Sequence, residues 1–346
     1  MALSPLTPIC IKPRLAPCVR GELEGGHPSI PLRLIPLESG GDGRFHTGRD
    51  GVQAILTPAD RKVEFICYPN KTLCYVKSAM GYPALYPMAP ARIQRPLRAV
   101  LMDLDGTSVH SEEFWIWVIQ QTTGRLLGVP HFQLEPADLP HVSGHSVSEH
   151  LQHCIARYCP DKSVEEARAI YFEIVHTEME AIAKGERNAM RPDAFRPAPG
   201  LQEFLLTLKT HGVKIGLVTS GLYEKAWPEI LSAFRTMGMG DPQDFYDTII
   251  TAGFPLRGGQ PGTLGELEAK PHPWLYAEAA RVGLGIDYTQ RHSVVGIEDS
   301  AAGVIALRLA GFAVVGLAGG NIQASGTRGL CRHFCQSLDH VEPLLF

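Results

Sequence analysis

Two carboxylates at spacing two, Asp103 and Asp105, stand directly behind an unbroken apolar run, Ala99 to Met102, and are followed by Gly106-Thr107. A short apolar run bounded by a polar turn reads as a strand buried on both faces. In open α/β sheets ligands sit beyond the carboxyl ends of the strands, so both acids are delivered to the place where chemistry occurs. One carboxylate can attack phosphorus while the other protonates the leaving oxygen and later activates water, which is phosphoryl transfer through a covalent carboxyl-phosphate. Gly106 permits the sharp turn that brings both acids to one centre.

Three later segments supply what these acids need. Lys214-Ile215-Gly216-Leu217-Val218-Thr219-Ser220-Gly221 is a strand ending in hydroxyls and glycine. Free amides and a hydroxyl at a strand–helix junction hold phosphate oxygens, with Thr219 the first candidate and Ser220 the second; the plainer reading is a helix N-cap. Lys270, in Ala269-Lys270-Pro271-His272-Pro273, precedes a helix, where a cation opposes the macrodipole and gains nothing structurally. It therefore reads as a charge-balancing group, and His272 as a surface or turn residue. Val294 to Ile297 is again apolar and ends in Glu298-Asp299-Ser300, with Ser300 placed to cap the next helix. Asp103, Asp105, Glu298 and Asp299 would then share one cleft. Two like charges ~4 Å apart repel by ~4 kcal/mol at an effective dielectric of 20. A hard divalent cation with oxygen ligands removes that repulsion, and Mg²⁺ is the expected occupant beside a phosphate.

The elements that must position these residues are legible in the pattern. Apolar strand candidates at 98–103, 213–219, 246–251, 292–297 and 312–317 alternate with helices at 201–210, 223–237, 273–282 and 301–309. Alternating βα units imply a parallel sheet covered on both faces. Residues 108–197 interrupt the alternation with helices and no convincing strand, and Ser163-Val164-Glu165-Glu166 and Ser146-Val147-Ser148-Glu149 read as capping boxes. This stretch is expected to form a separate cap above the acids. Residues 1–60 are rich in Pro and Gly, and 63–68 with 73–76 flank a turn, a β-hairpin signal. If Tyr68 and Leu73 close that turn, Cys67 and Cys74 face each other as two small apolar residues or, alternatively, a redox pair. The expected organisation is an N-terminal β-rich extension over 1–95, an α/β core over 96–107 and 198–346, and an all-helical cap over 108–197.

Of 346 residues, 45% are hydrophobic and 20% charged, typical of a soluble globular chain. The formal charge of -4 gives no support for a nucleic-acid surface, and no apolar run approaches the ~18–20 residues that span a bilayer. Eight cysteines without a dense framework suggest free thiols in a reducing, cytoplasmic setting. The N-terminal twenty residues lack acids but are interrupted by prolines, which gives only a faint organelle-targeting signal.

Residues 98–320 resemble the haloacid dehalogenase superfamily, in its phosphatase/β-phosphoglucomutase-like branch. All four motifs stand in order: Asp103/Asp105, Thr219-Ser220, Lys270 before Pro271, and Glu298-Asp299. The resemblance implies a Rossmann-like parallel sheet, Asp103 as nucleophile, Asp105 as acid/base, and Thr219 with the Ser220 amide on the transferring phosphoryl group. It implies that Lys270 stabilises that group and orients the nucleophile. Mg²⁺ would be held by Asp103, the Asp105 carbonyl and Asp299, with Glu298 direct or through water. The dehalogenases themselves lack the second acid, so Asp105 argues for phosphoryl chemistry.

This chain also departs from the family pattern. His110 stands where the family often has Asp, and reads as a cap-hinge contact. The Gly-rich stretch 252–269 is longer than usual and could carry Arg257 to an anionic substrate group. The stretch 141–150 aligns with the family's substrate-reading loop; it brings His141, His145 and His150 close to His153, and His145 is the candidate substrate contact. The expected function is a Mg²⁺-dependent phosphatase of a small phosphorylated metabolite such as a sugar or polyol phosphate. The alternatives are a phosphosugar mutase, which needs a cation for a second phosphate that 141–150 lacks, and a non-catalytic scaffold using the N-terminal module.

Overall fold

The computed structural model describes residues 34–77, 83–138, 147–185, 194–252 and 268–346. His145 and Arg257 lie outside them, as do His141 and the N-cap residue Ser146.

The chain opens with an antiparallel five-stranded sheet. Its strands are β1 (Ile35–Leu37), β2 (Ala54–Thr57), β3 (Val63–Cys67), β4 (Thr72–Val76) and β5 (Ala84–Pro87), and they neighbour one another in sequence order. The hairpin between β3 and β4 forms, but in another register than the one expected. The Tyr68 N–H donates to the Lys71 carbonyl at 2.8 Å, so Pro69-Asn70 alone make the turn. Cys67 therefore pairs with Thr72 and Cys74 with Phe65, and both thiols are free. A turn two residues shorter moves every cross-strand partner, which is how loop length fixes register.

The core follows. Its strands are β6 (Ala99–Asp103), β9 (Lys214–Leu222), β10 (Thr248–Ala252), β11 (Val294–Glu298), β12 (Ala313–Leu317) and β13 (His333–Cys335), all parallel, in spatial order β10-β9-β6-β11-β12-β13. Counting these six along the chain gives 3-2-1-4-5-6, the doubly wound Rossmann-like order whose direction reverses at the first strand. β6 is that first strand, and all five of its residues are buried. Three-residue β13 escaped the periodicity reading because it is too short and half-exposed to show a pattern.

Between β6 and β9 lies a helical cap: α1 (Glu112–Leu127), α2 (Val147–Tyr158) and α3 (Val164–Lys184). Ser163 caps α3 by accepting the Glu166 N–H at 3.0 Å, and the stripe Ala167, Tyr171 and Ile174 is buried against Phe114, Val118, Leu151 and Ile155. The cap is not purely helical. Two-residue strands β7 (Val109–His110) and β8 (Arg196–Pro197) pair antiparallel where the chain enters and leaves it. Two residues are too few to announce a strand by alternation.

The remaining helices are α4 (Leu201–Thr210), α5 (Tyr223–Met237), α6 (Pro242–Phe245), α7 (Trp274–Glu278), which continues into one π turn, α8 (Ala301–Leu309) and α9 (Glu342–Leu345). The N-terminal sheet packs on α8: Val63, Phe65, Cys74 and Val76 share one buried cluster with Ile305 and Leu309. Its other face buries Val52, Ile55, Ile66 and Tyr75 under the loop between β1 and β2. Among the described residues no helix is long and apolar enough to cross a membrane.

Candidate active site

Strand register brings the separate motifs together. β6 is hydrogen-bonded to β9 on one side and β11 on the other, with Asp103 opposite Val218 and Met102 opposite Ile297. Asp103, Thr219 and Glu298 therefore emerge from three adjacent strand tips at one level.

Lys270 ties them. Its ammonium, with the side chain 5% exposed, donates to an Asp103 Oδ1, to Glu298 Oε1 at 2.8 Å and to the Val218 carbonyl at 3.1 Å. Burial disfavours this ammonium, but the two carboxylates overcome it and raise its pKa above the ordinary lysine value. Burial, followed by the Glu298 charge, raises the Asp103 pKa well above that of a free carboxyl, against the pull of Lys270. The same two causes push Asp299 up to about 7.

Glu298 is fully engaged. Oε1 accepts from Lys270 and from the Tyr276 hydroxyl at 2.7 Å, while Oε2 accepts the Ser300 N–H at 3.0 Å and its hydroxyl at 2.9 Å. Ser300 also caps α8, accepting the Gly303 N–H at 3.1 Å. Gly303 has to be glycine: a Cβ there would lie 1.6 Å from Glu298 Oε1. Asp299 is enclosed similarly. It accepts the Thr107 hydroxyl at 3.2 Å, and a Cβ on Gly106, at φ +81°, would come within 2.2 Å of its Oδ2.

The donor set suits a divalent cation. Asp103, Glu298 and Asp299, all buried, each offer an oxygen within 4.8 Å of the others. Three carboxyl groups crowded around one ammonium oppose one another's ionisation, a divalent cation relieves that repulsion, and oxygen-only ligands match Mg²⁺. With Glu298 already making four hydrogen bonds, Asp103 and Asp299 are the side chains better placed to ligate.

Asp105 faces elsewhere. Its carboxylate accepts from Ser111 Oγ at 2.8 Å and from Thr219 Oγ1 at 3.4 Å, and Lys225 Nζ stands 3.7 Å away. Burial acts to raise its pKa, but Lys225 and then Ser111 hold it below the usual range. Thr219 Oγ1 also accepts the Gly221 N–H at 2.9 Å, and Ser220 Oγ accepts the Lys270 N–H at 3.2 Å.

Three of these neighbours escaped the sequence reading. Tyr276 carries no motif. Lys225 and Glu229 lie four apart on α5; Lys225 also rests over the Trp115 ring of the cap at 4.0 Å. Glu229 is wholly buried, with its carboxyl group against the side chains of Asp105 and Ser111. Burial and the Asp105 charge raise its pKa well above the ordinary carboxyl value. An acid on an apolar stripe with Ala226, Ile230 and Ala233 was the available signal.

His110, read as a cap-hinge contact, lies in β7 opposite Arg196. With Glu113, Phe114, Arg196 and Pro199 it lines a cavity of about 370 Å³ beside the β7–β8 ribbon. His272, read as a surface or turn residue, closes the turn after Ala269 but is buried there, 2% exposed.

A family model for haloacid dehalogenase-like hydrolases matches residues 97–311, and the chain belongs to that family of hydrolases. Comparison with curated proteins gives no match. Among solved structures the chain is similar to a predicted phosphoglycolate phosphatase from Haemophilus somnus 129pt, at 17% identity and a TM-score of 0.54, covering 72% of this chain and 98% of that one. It is also similar to a HAD hydrolase, family IA, variant 3, from Entamoeba histolytica HM-1:IMSS, at 18% identity and a TM-score of 0.52, covering 72% and 98%. A third is CbbY from Rhodobacter sphaeroides in complex with phosphate, at 18% identity and a TM-score of 0.50, covering 71% and 96%. At these identities the likeness is one of fold.

Proposed function

We propose that this hydrolase is a magnesium-dependent phosphatase of a small phosphomonoester, of the sugar or polyol phosphate class, acting through an aspartyl-phosphate on Asp103. The observation that carries this reading is the Lys270 ammonium shared between Asp103 and Glu298, with a second carboxylate, Asp105, turned toward Thr219. A scaffold has no use for this arrangement. The phosphate bound to CbbY and the phosphatase description of the Haemophilus somnus protein support the same reaction class.

In the first half-reaction an Asp103 oxygen bonds to phosphorus as the ester P–O bond breaks, and Asp105 gives its proton to the departing alkoxide. Asp105 therefore has to take up a proton as substrate enters, which the dianionic phosphate group favours. The Thr219 hydroxyl and the Ser220 amide receive phosphoryl oxygens, and Lys270 balances their charge. In the second half Asp105 accepts a proton from water, the water oxygen bonds to phosphorus, and the bond to Asp103 breaks to release inorganic phosphate. Asp103, Asp299 and the Asp105 carbonyl would hold Mg²⁺, with Glu298 fixing Lys270 beside it; the ion supplies charge neutralisation. We assign the cap role to residues 108–197, whose closure would exclude bulk water, the hydrolytic core to 96–107 and 198–346, and a bracing role to the extension before residue 96.

The test is phosphate release from a panel of phosphomonoesters with Mg²⁺ and with chelator. Release without any bisphosphate activator separates a phosphatase from a mutase. Asp103→Asn is expected to lower kcat at least a thousandfold, because an amide cannot form the covalent intermediate; retention of activity by that variant rules the mechanism out.

A further inference from the structure

The N-terminal sheet lies before residue 97, where the family match begins, yet it reaches the site. On β5 the Tyr86 hydroxyl is 2.8 Å from Nδ1 of His272, and the two rings meet edge to face with centroids 5.8 Å apart. Trp274 flanks Tyr86 at 6.1 Å, again edge on. His272 is buried, and its other ring nitrogen, Nε2, meets no hydrogen-bond partner among the described residues. Tyr86 thus supplies the hydrogen bond that this imidazole makes.

His272 closes the turn that carries Lys270. Its backbone N–H donates to the Ala269 carbonyl at 3.1 Å, while the Lys270 N–H is anchored on Ser220 Oγ. The turn is therefore held from the core on one side and from the N-terminal sheet on the other. The sheet in turn is fastened to α8, the helix that begins directly after Asp299. Phe65 and Val76 pack on Ile305 and Leu309, and Arg308 Nη2 donates to the Ala89 carbonyl at 3.2 Å. The same module grips both elements whose relative placement sets the contact between Lys270 and Glu298.

We infer that Tyr86 is a positioning residue for this enzyme: through its hydrogen bond to His272 the N-terminal sheet fixes the turn that presents Lys270 to Asp103 and Glu298. The catalytic part of this inference rests on the phosphatase reading above. Reaction geometry is steep enough for it to matter, since a displacement of about 1 Å can slow a positioned reaction by ~10²-fold.

Full-length protein carrying Tyr86→Phe keeps the ring and loses only the hydroxyl. Backbone hydrogen exchange over residues 269–276 is expected to quicken at least about fivefold in this variant, with α3 unchanged, because the turn loses one of its two anchors. On the phosphomonoester that the wild type hydrolyses fastest, kcat is expected to fall about tenfold with KM within about twofold. His272→Gln is expected to give a similar loss, and the double variant to be no slower than His272→Gln alone, as for two residues acting through one contact. Ile55→Ala, on the opposite face of the sheet, serves as the control: it lowers Tm but leaves kcat within about twofold. Unchanged exchange in Tyr86→Phe overturns the inference, as does quicker exchange with unaltered kcat. An equal loss of kcat in Ile55→Ala also overturns it, because sheet stability alone would then explain the effect. A wild type that releases no phosphate from any ester overturns the phosphatase reading instead, and exchange over 269–276 still decides whether Tyr86 anchors the turn.

Discussion

Lys270 is the residue on which the site's charge balance turns. It is buried between two buried carboxylates, and its removal leaves both without their counter-ion. Breaking a buried pair in this way destabilises by roughly 3–5 kcal/mol, more than the intact pair contributes over an apolar substitute. Lys270→Met is therefore expected to lose activity and to lower the urea midpoint clearly at pH 7.5. Adding Asp103→Asn to it is expected to restore part of that stability, because one orphaned charge is gone. A midpoint unchanged in Lys270→Met would show that the ammonium does not balance the charge of this site. The excess of carboxylate over ammonium gives the companion prediction. Mg²⁺ is expected to raise Tm by a few degrees, since a ligand at a hundred times its Kd stabilises by about 2.7 kcal/mol. Asp299→Asn is expected to abolish most of that rise, measured by thermal unfolding with and without chelator.

At the scale of elements, the cap is held by more than its apolar stripe. Asp138, with a fully buried side chain, follows α1 in the chain and is bound by His153 Nε2 at 2.8 Å, Arg157 Nη1 at 3.0 Å and the Tyr158 hydroxyl, all on α2. Burial opposes the carboxylate, but Tyr158 and His153 outweigh it and hold its pKa below the ordinary value. A depressed folded-state pKa contributes stability above the unfolded pKa and loses it as pH falls through the folded one. The Tm gap between wild type and Asp138→Asn is thus expected to be widest at neutral pH and to close as pH falls below the carboxyl range. A gap constant from pH 7 to 3 would show that the carboxylate charge is irrelevant to the cap. The two-stranded ribbon β7–β8 plays a different part. It pairs the entry and exit of the cap through four residues, Val109 with Pro197 and His110 with Arg196.

For the molecule as a whole, the doubly wound order 3-2-1-4-5-6 explains why one point collects the chemistry. Connections leave the first strand in opposite directions, so the crevice at its tip is open and lined by three strands. The antiparallel sheet is attached on the far side of α8 from the core sheet, and among the described residues it reaches the site through the Lys270 turn. Such a module changes neither the reacting groups nor the crevice; it limits how far two of the surrounding elements can move apart. That is why the Tyr86 prediction concerns kcat and local exchange rather than substrate affinity.

Much of this was legible along the chain. The boundaries of α4, α5 and α8 follow from apolar periodicity and from glycines that stop the helices, and the acidic strand tips announce the site because carboxylates at the end of a buried strand have no packing role. These are short-range signals: a strand, a turn and a cap each depend on neighbours within a few residues, so local pattern suffices to find them. The partners of those residues were a different matter. That Glu298 would be saturated by Tyr276, Ser300 and Lys270, that Asp105 would sit beside Lys225 and the buried Glu229, that Cys67 would pair with Thr72, and that Tyr86 would reach a buried His272 all depend on strand register and on packing between distant segments. The amino-acid sequence by itself determined which groups could react and which elements deliver them. Only the folded chain decided which groups hold them in place, because side-chain contacts across tens or hundreds of residues leave no period in the sequence and are set by how whole elements dock.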